Sequence, residues 1–218
     1  MPDYDRQVIA QFLCGDPGDK LIRDNAEAIN DYAKRRGLKS HRFTVPISGQ
    51  SQTLNDKRWT RGADECAKLT AESRVYMQGH GDWKQQKLGD WGPVESADLL
   101  VALGMKAAKV ISILGCSLGS DRTAPDNVRV LNSADSYASR FHKALKTRHG
   151  IETVVYARIW DVVPIGPLAK QVLGLEDEWL GRKTQNVDNI DGNFVHRAGN
   201  TKIRFFWRGN SQGREWAY

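Results

Sequence analysis

RVYMQGHG (residues 74–81) and KVISILGCS (residues 109–117) decide the fold. Each is a short apolar run bounded by polar residues, the pattern of a strand buried on both faces. Each ends in a glycine followed by a chemically active side chain, Gly79-His80-Gly81 in one and Gly115-Cys116 in the other. Upstream, QVIAQFL (residues 7–13) reads as a first buried strand that stops at the turn signal Gly15-Asp16-Pro17-Gly18. Apolar residues at Leu21, Ile22, Ala26, Ile29 and Ala33 predict a helix over 19–36 with Gly37 as its stop. Further elements are expected as a strand at 41–47, a helix at 63–69, a helix at 96–103 capped by Ser96, a helix at 134–146 and a strand at 151–157. Residues 82–93 are polar and rich in Gly and Trp, and read as a surface loop. Strands alternating with helices predict an α/β layer around a mostly parallel sheet. From Gly181 the pattern changes to short alternating runs split by Asp191-Gly192 and Gly199-Asn200, which predicts antiparallel hairpins. We therefore expect one domain, with an α/β core over 1–180 and a basic β-flap over 181–218.

Composition narrows the function classes. Of the 218 residues 40% are hydrophobic, which suits a folded globular chain, and no window approaches the length of a membrane span. The N-terminus lacks a signal-peptide pattern. Three cysteines, Cys14, Cys66 and Cys116, are too few and oddly numbered for a disulfide framework, and the absence of a Cys-x-x-Cys pair leads us to expect no metal. The formal net charge is +6, and residues 181–218 alone contribute +4 of it, through Arg182, Lys183, Arg197, Lys202, Arg204, Arg208 and Arg214 against three acids. Such a cluster is ordinarily a solvated strand surface. It would also suit an anionic ligand, although no helix-turn-helix or aromatic stacking motif points to nucleic acid.

In an open parallel sheet, function collects beyond the carboxyl ends of the strands. If the strands ending at His80 and Cys116 are neighbours, the two side chains face each other on one edge. A cysteine attacks as thiolate, and an adjacent imidazole can take its proton and later protonate a leaving amine. Backbone N–H groups of Gly81 and Cys116 are then candidates for an oxyanion hole. A lone cysteine behind an apolar strand is more often a small buried hydrophobe, and a lone histidine more often a structural hydrogen-bonder. From the residues alone both readings stay open. His41, His142, His149 and His196 have no strand-end glycine turn. Cys14 precedes Gly15 but has no histidine near it in sequence, and Cys66 falls in a helix, where it reads as packing.

The two motifs, VYMQGHGD and VISILGCSLGSD, resemble the caspase-like cysteine peptidases, and most of all the self-processing protease domain of MARTX and large clostridial toxins. Residues 4–9 are similar to the first strand of those domains. The run from Gly181-Arg182-Lys183 through Asp191-Gly192-Asn193 to Ala198-Gly199-Asn200-Thr201-Lys202 resembles their β-flap. The resemblance covers most of the chain, in order, except 37–73. It implies a caspase-like central sheet with a C-terminal antiparallel flap, and endopeptidase activity by a Cys116–His80 dyad, often after leucine. Residues 160–165 either line the pocket for that leucine or pack in the core. The resemblance also implies inositol hexakisphosphate as an allosteric activator in a basic pocket beside the flap. By position Arg182 and Lys183 match flap cations of the family, Arg197 and Lys202 match two more, and Lys20 matches a cation after the first strand. It implies as well a bacterial toxin domain or secreted effector working in a host cytosol, on host proteins or on its own parent chain. Only three residues precede the first strand, so we expect either an excised domain or a free-standing effector. The alternative is a catalytically silent caspase-like module that binds a polyanion.

Overall fold

The computed structural model describes residues 4–48, 57–120, 133–158, 161–164, 169–173, 186–189 and 202–216. Its first strand, β1 (Arg6–Phe12), is buried on both faces from Gln7 onward. The following helix, α1 (Asp19–Arg35), carries an acid in its first turn and Lys34 and Arg35 in its last, both favourable to the helix dipole. It stops where Gly37 takes a φ of 77°, its N–H bonding the carbonyl of Lys34 while that of Leu38 reaches back to Ala33. This is the left-handed glycine cap expected at that position.

Next come β2 (Lys39–Val45), α2 (Lys57–Cys66) and β3 (Arg74–Gly79), then a two-residue ladder of β4 (Gly81–Asp82) with β5 (Lys87–Leu88). After these follow α3 (Pro93–Ala102), β6 (Val110–Leu114), α4 (Tyr137–His149) and β7 (Val154–Arg158). The chain continues through β8 (Asp161–Pro164), β9 (Ala169–Leu173), β10 (Asn186–Asn189), β11 (Lys202–Arg208) and β12 (Ser211–Trp216). The central sheet has seven strands in the order β12-β11-β7-β6-β3-β1-β2. The five strands from β7 to β2 are parallel, and β11 and β12 run antiparallel at one edge. The fold is thus α/β with a mostly parallel sheet flanked by helices and with antiparallel strands toward the C-terminus, as expected. A second, three-stranded antiparallel sheet joins β8, β9 and β10, drawing strands from both sides of residue 181.

Alternation along each strand separates two cores. Val8, Ala10, Phe12, Val75, Met77, Ile111 and Ile113 point to the side covered by α2, α3 and α4, where Leu99, Leu103, Phe141 and Leu145 complete the main core. Ile9 and Tyr76 point the other way, onto Ala26 and Ile29 of α1.

Two local expectations need correction. The cap of α3 is Gly92 rather than Ser96: Gly92 accepts from the N–H of Ser96 and donates its own N–H to the Glu95 carboxylate, with Pro93 as the first helical residue. A proline has no N–H to lose and so favours that start, and Ser96 is buried instead, accepting the Tyr137 hydroxyl. The 82–93 stretch is not merely a surface loop. Leu88, Trp91 and Gln86 are buried in it, and the Trp91 indole N–H donates to the Pro46 carbonyl. Polar residues on average concealed apolar anchors at particular places.

Candidate active site

β3 and β6 are adjacent, in parallel register with Gln78 opposite Leu114. Extending the register by two residues sets His80 level with Cys116, just beyond the carboxyl edge of the sheet. β1 lies on the far side of β3 with Phe12 opposite Gly79, so the loop after β1 reaches the same edge.

Glycines make this approach possible. A Cβ on Gly81 would collide with the backbone N and O of Cys116, and one on Gly79 with the Phe12 carbonyl. A Cβ on Gly115 would meet Leu118 at 2.7 Å and Leu88 at 2.8 Å. The Cys116 turn is completed by Ser117, whose φ of 54° lies in the left-handed region that side chains other than glycine rarely adopt. Such strain persists only where the surroundings hold it, and it collects at functional sites. Here Ser117 is fully buried, Gly119 donates its N–H to the Arg158 carbonyl at 2.7 Å, and Ala138 donates to Leu118. The backbone of His80 is held in turn by the N–H of Gly89, which bonds its carbonyl at 2.7 Å.

The loop after β1 supplies carboxylates that sequence reading assigned to a turn and a helix start. Asp19 is buried and accepts the N–H of Gly15 at 2.8 Å, and Asp16 accepts the N–H of Gly18 at 2.6 Å. Both reach toward the imidazole: Nε2 of His80 lies 3.7 Å from Asp19 Oδ1 and 3.9 Å from Asp16 Oδ1. Gly18 walls the ring, since a Cβ there would stand 2.8 Å from Cε1. The signal that could have found these acids is positional: a third strand ending at the same edge as His80 and Cys116.

The same placement bears on the other cysteines. Cys14, set aside in the sequence for lack of a nearby histidine, lies beside His80 because β1 neighbours β3. Its thiol is held above the ordinary range by burial and by the charges of Asp19, Asp90 and Asp16. A thiol so placed resists ionising and is a poor nucleophile. Cys66 is fully buried, its thiol pushed up to about 12 by burial and the Glu65 charge, which fits packing. None of the three cysteines is in a disulfide. His142 is buried, pushed down to about 4 by burial, and bonded to the Thr153 carbonyl and Gln212, so it is a neutral structural residue. His149 pairs with Asp98 and His41 with Glu65.

A second charged feature sits on the opposite half of the sheet. Lys202 of β11 is directly opposite Arg158 of β7, and its Nζ lies 4.6 Å from the centre of the Tyr156 ring. Burial, then the charges of Arg158 and Arg74, push the Lys202 ammonium down to about 8, and burial pushes Arg158 down to about 10. Arg74 lies over the Tyr76 ring at 4.2 Å on the same face. Sequence reading named Lys202 but neither arginine. Lys20 is exposed at the start of α1 in an ion pair with Asp24. Arg182, Lys183, Arg197 and His196 lie outside the described residues, as do residues 160 and 165 of the stretch considered for the specificity pocket.

Among the described residues no helix is long and apolar enough to cross a membrane. A search of curated proteins finds no match to this chain. The model of the peptidase C80 family matches residues 3–163, a span that holds β1 to β7, both carboxylates, His80 and Cys116. That span is more than two thirds of the sequence, and the chain belongs to the peptidase C80 family.

Proposed function

We propose that the chain is a cysteine endopeptidase in which Cys116 is the nucleophile and His80 its acid–base partner. The observation that carries this is the adjacency of β3 and β6 with Gly81 pressed on the Cys116 backbone. With Nε2 turned to the carboxylates, Nδ1 is the ring nitrogen available to the thiol. His80 takes the thiol proton as sulfur attacks the scissile carbonyl. The N–H groups of Gly81 and Cys116 hold the developing oxyanion, and the imidazolium protonates the departing amine. Water then releases the acyl group from sulfur. Asp19 acts as a positioning residue: it stabilises the imidazolium and steadies the ring, as an acid behind a catalytic histidine does. Cleavage after leucine, in a host protein or in the parent chain, is part of this reading.

Activation by inositol hexakisphosphate completes the proposal. Like charges directly opposite on a sheet are destabilising, and Lys202, Arg158 and Arg74 keep three cations together on one face. A polyphosphate would turn that repulsion into charge-assisted hydrogen bonds, and Arg182, Lys183 and Arg197 would add to it from the basic tail. Such an activator suits a bacterial toxin domain or secreted effector that works in a eukaryotic cytosol.

The test is labelling with a leucyl chloromethyl ketone, with and without inositol hexakisphosphate, followed by peptide mapping. Modification of Cys116 that needs His80 and rises with the polyphosphate is expected. Modification confined to Cys14, or none in folded protein, would sink the assignment. Thermal stabilisation by the polyphosphate without any labelling would favour the silent polyanion-binding module, a reading to which the basic cluster alone lends itself.

A further inference from the structure

Cys14 is not used by the mechanism above, yet its sulfur shares a small space with the catalytic imidazole. We propose that Cys14, Asp19 and His80 form an inhibitory site for a thiophilic divalent cation of the zinc type.

Three observations meet there. The ligand atoms of Cys14, Asp19 and His80 all lie within 4.8 Å of one another. Two of the separations, 3.9 Å from Cys14 Sγ to Asp19 Oδ1 and 3.7 Å from Asp19 Oδ1 to His80 Nε2, are close to the edge of a tetrahedron of zinc ligands. That edge is about 3.5 Å for bond lengths of about 2.0 to 2.3 Å. The ligands therefore need to move by tenths of an ångström rather than to refold. Second, Nε2 of His80 is shielded from solvent and has no hydrogen-bond partner, because both carboxylates stand beyond bonding distance. A buried polar atom left in this way calls for an explanation, and a metal bond would satisfy it. Third, one Asp19 oxygen is anchored by the Gly15 N–H at 2.8 Å, which orients the carboxylate as outer-shell contacts orient metal ligands.

The donor set selects the ion. Thiolate and imidazole favour zinc and its neighbours over magnesium or calcium, which take all-oxygen shells. On binding, the Cys14 thiol gives its proton to solvent, and the two negative ligands balance the dication. Asp16, 3.9 Å from the same nitrogen, adds negative charge beside the site. A simpler view makes Cys14 a bystander to an acid–histidine pair, but that view leaves Nε2 without a partner.

Metal binding by these residues stands apart from the peptidase reading, whereas inhibition rests on it, because an occupied site ties His80 away from Cys116. Cobalt(II) is the probe, titrated anaerobically into the full chain carrying Cys116→Ser. Cys66 is fully buried, so Cys14 is the accessible thiol in that variant. One equivalent with a thiolate-to-cobalt charge-transfer band is expected. Absence of that band, or no saturable binding, overturns the site. Adding Cys14→Ser should abolish the band and weaken cobalt at least tenfold, and a band that persists also overturns it. Should the double variant fail to fold, the Cys116→Ser titration decides alone. For inhibition, wild-type labelling is followed with free zinc fixed by a metal buffer, so that chelation by the polyphosphate does not count. Slowing of at least tenfold is expected, reversed on zinc removal, and labelling indifferent to zinc overturns the inhibitory role. Cobalt bound through Cys14 in a chain that never labels at Cys116 would uphold the site and refute the peptidase reading.

Discussion

The edge beyond β1, β3 and β6 and the face formed by β7 and β11 are built from the same sheet but solve opposite electrostatic problems. At the edge, two carboxylates meet an imidazole and glycine turns fix the backbone so that little need move. On the face, Lys202 opposes Arg158 with Arg74 nearby, and burial lowers the affinity of Lys202 for its proton. The first arrangement sets acids beside an imidazole, and the second gathers like charges on one face, where the proposed polyphosphate would offset their repulsion.

Substitutions at four positions of the edge would break or sharpen that contrast. Cys116→Ala should abolish labelling and cleavage by more than about 10³-fold, as loss of a nucleophile does, with a circular dichroism spectrum like that of the parent. Cys14→Ala should retain most of the activity measured without metal, and a reversal of these two results would exchange the roles of the cysteines. Gly81→Ala tests whether close approach matters. Its Cβ would strike the Cys116 backbone, so labelling should fall by about 10²-fold. Denaturant unfolding should show a loss of about 1–3 kcal/mol, the usual cost of overpacking. Asp19→Asn keeps the shape and removes the charge, and should lower the labelling rate by about tenfold or more while the polyphosphate still shifts the melting temperature. Asp19→Glu should restore less than half of the loss, since the carboxylate is fixed by Gly15.

Lys202→Ala acts on the other side of the comparison. Inositol hexakisphosphate should bind about tenfold more weakly, the worth of one charge-assisted contact, with the Cys116 environment unchanged. The pH dependence follows from the sign of the shift. Lys202 holds its proton less tightly folded, near 8, than the ordinary lysine value of 10.5. Between those values the unfolded chain carries more protons, so the ligand-free protein gains stability as pH rises from about 8 to 10.5. Below 8 the penalty is fully present. Polyphosphate affinity should run the other way, falling above pH 8 as Lys202 becomes neutral, and isothermal titration at pH 7 and 9 would read this directly. A pH-independent affinity would remove Lys202 from the binding site.

How much was legible beforehand differs by element. β3 and β6 could be read because buried parallel strands leave continuous apolar runs, and the glycines marked their ends. α4 was read near 134–146 but runs over Tyr137–His149. Its start is fixed by the Ser136 side chain, which accepts the Ser139 N–H, and its end by the left-handed Gly150. These are local geometries that composition does not reveal. Asp16 and Asp19 were invisible as site residues because a carboxylate in a turn and one at a helix start are ordinary features, and only the neighbouring strand makes them more.

By itself the sequence determined the parallel strands β1, β2, β3, β6 and β7, that they form an α/β layer with the helices, and that His80 and Cys116 each stand at a strand end. Hydrophobic period and glycine placement are local properties and need no partner to be read. The tertiary structure alone decided the order of the strands, with β3 between β1 and β6. Order is a property of contacts between distant residues. It brought Cys14, Asp16 and Asp19 to the imidazole some 60 residues further along the chain, and set Lys202 against Arg158 on the other side of the sheet.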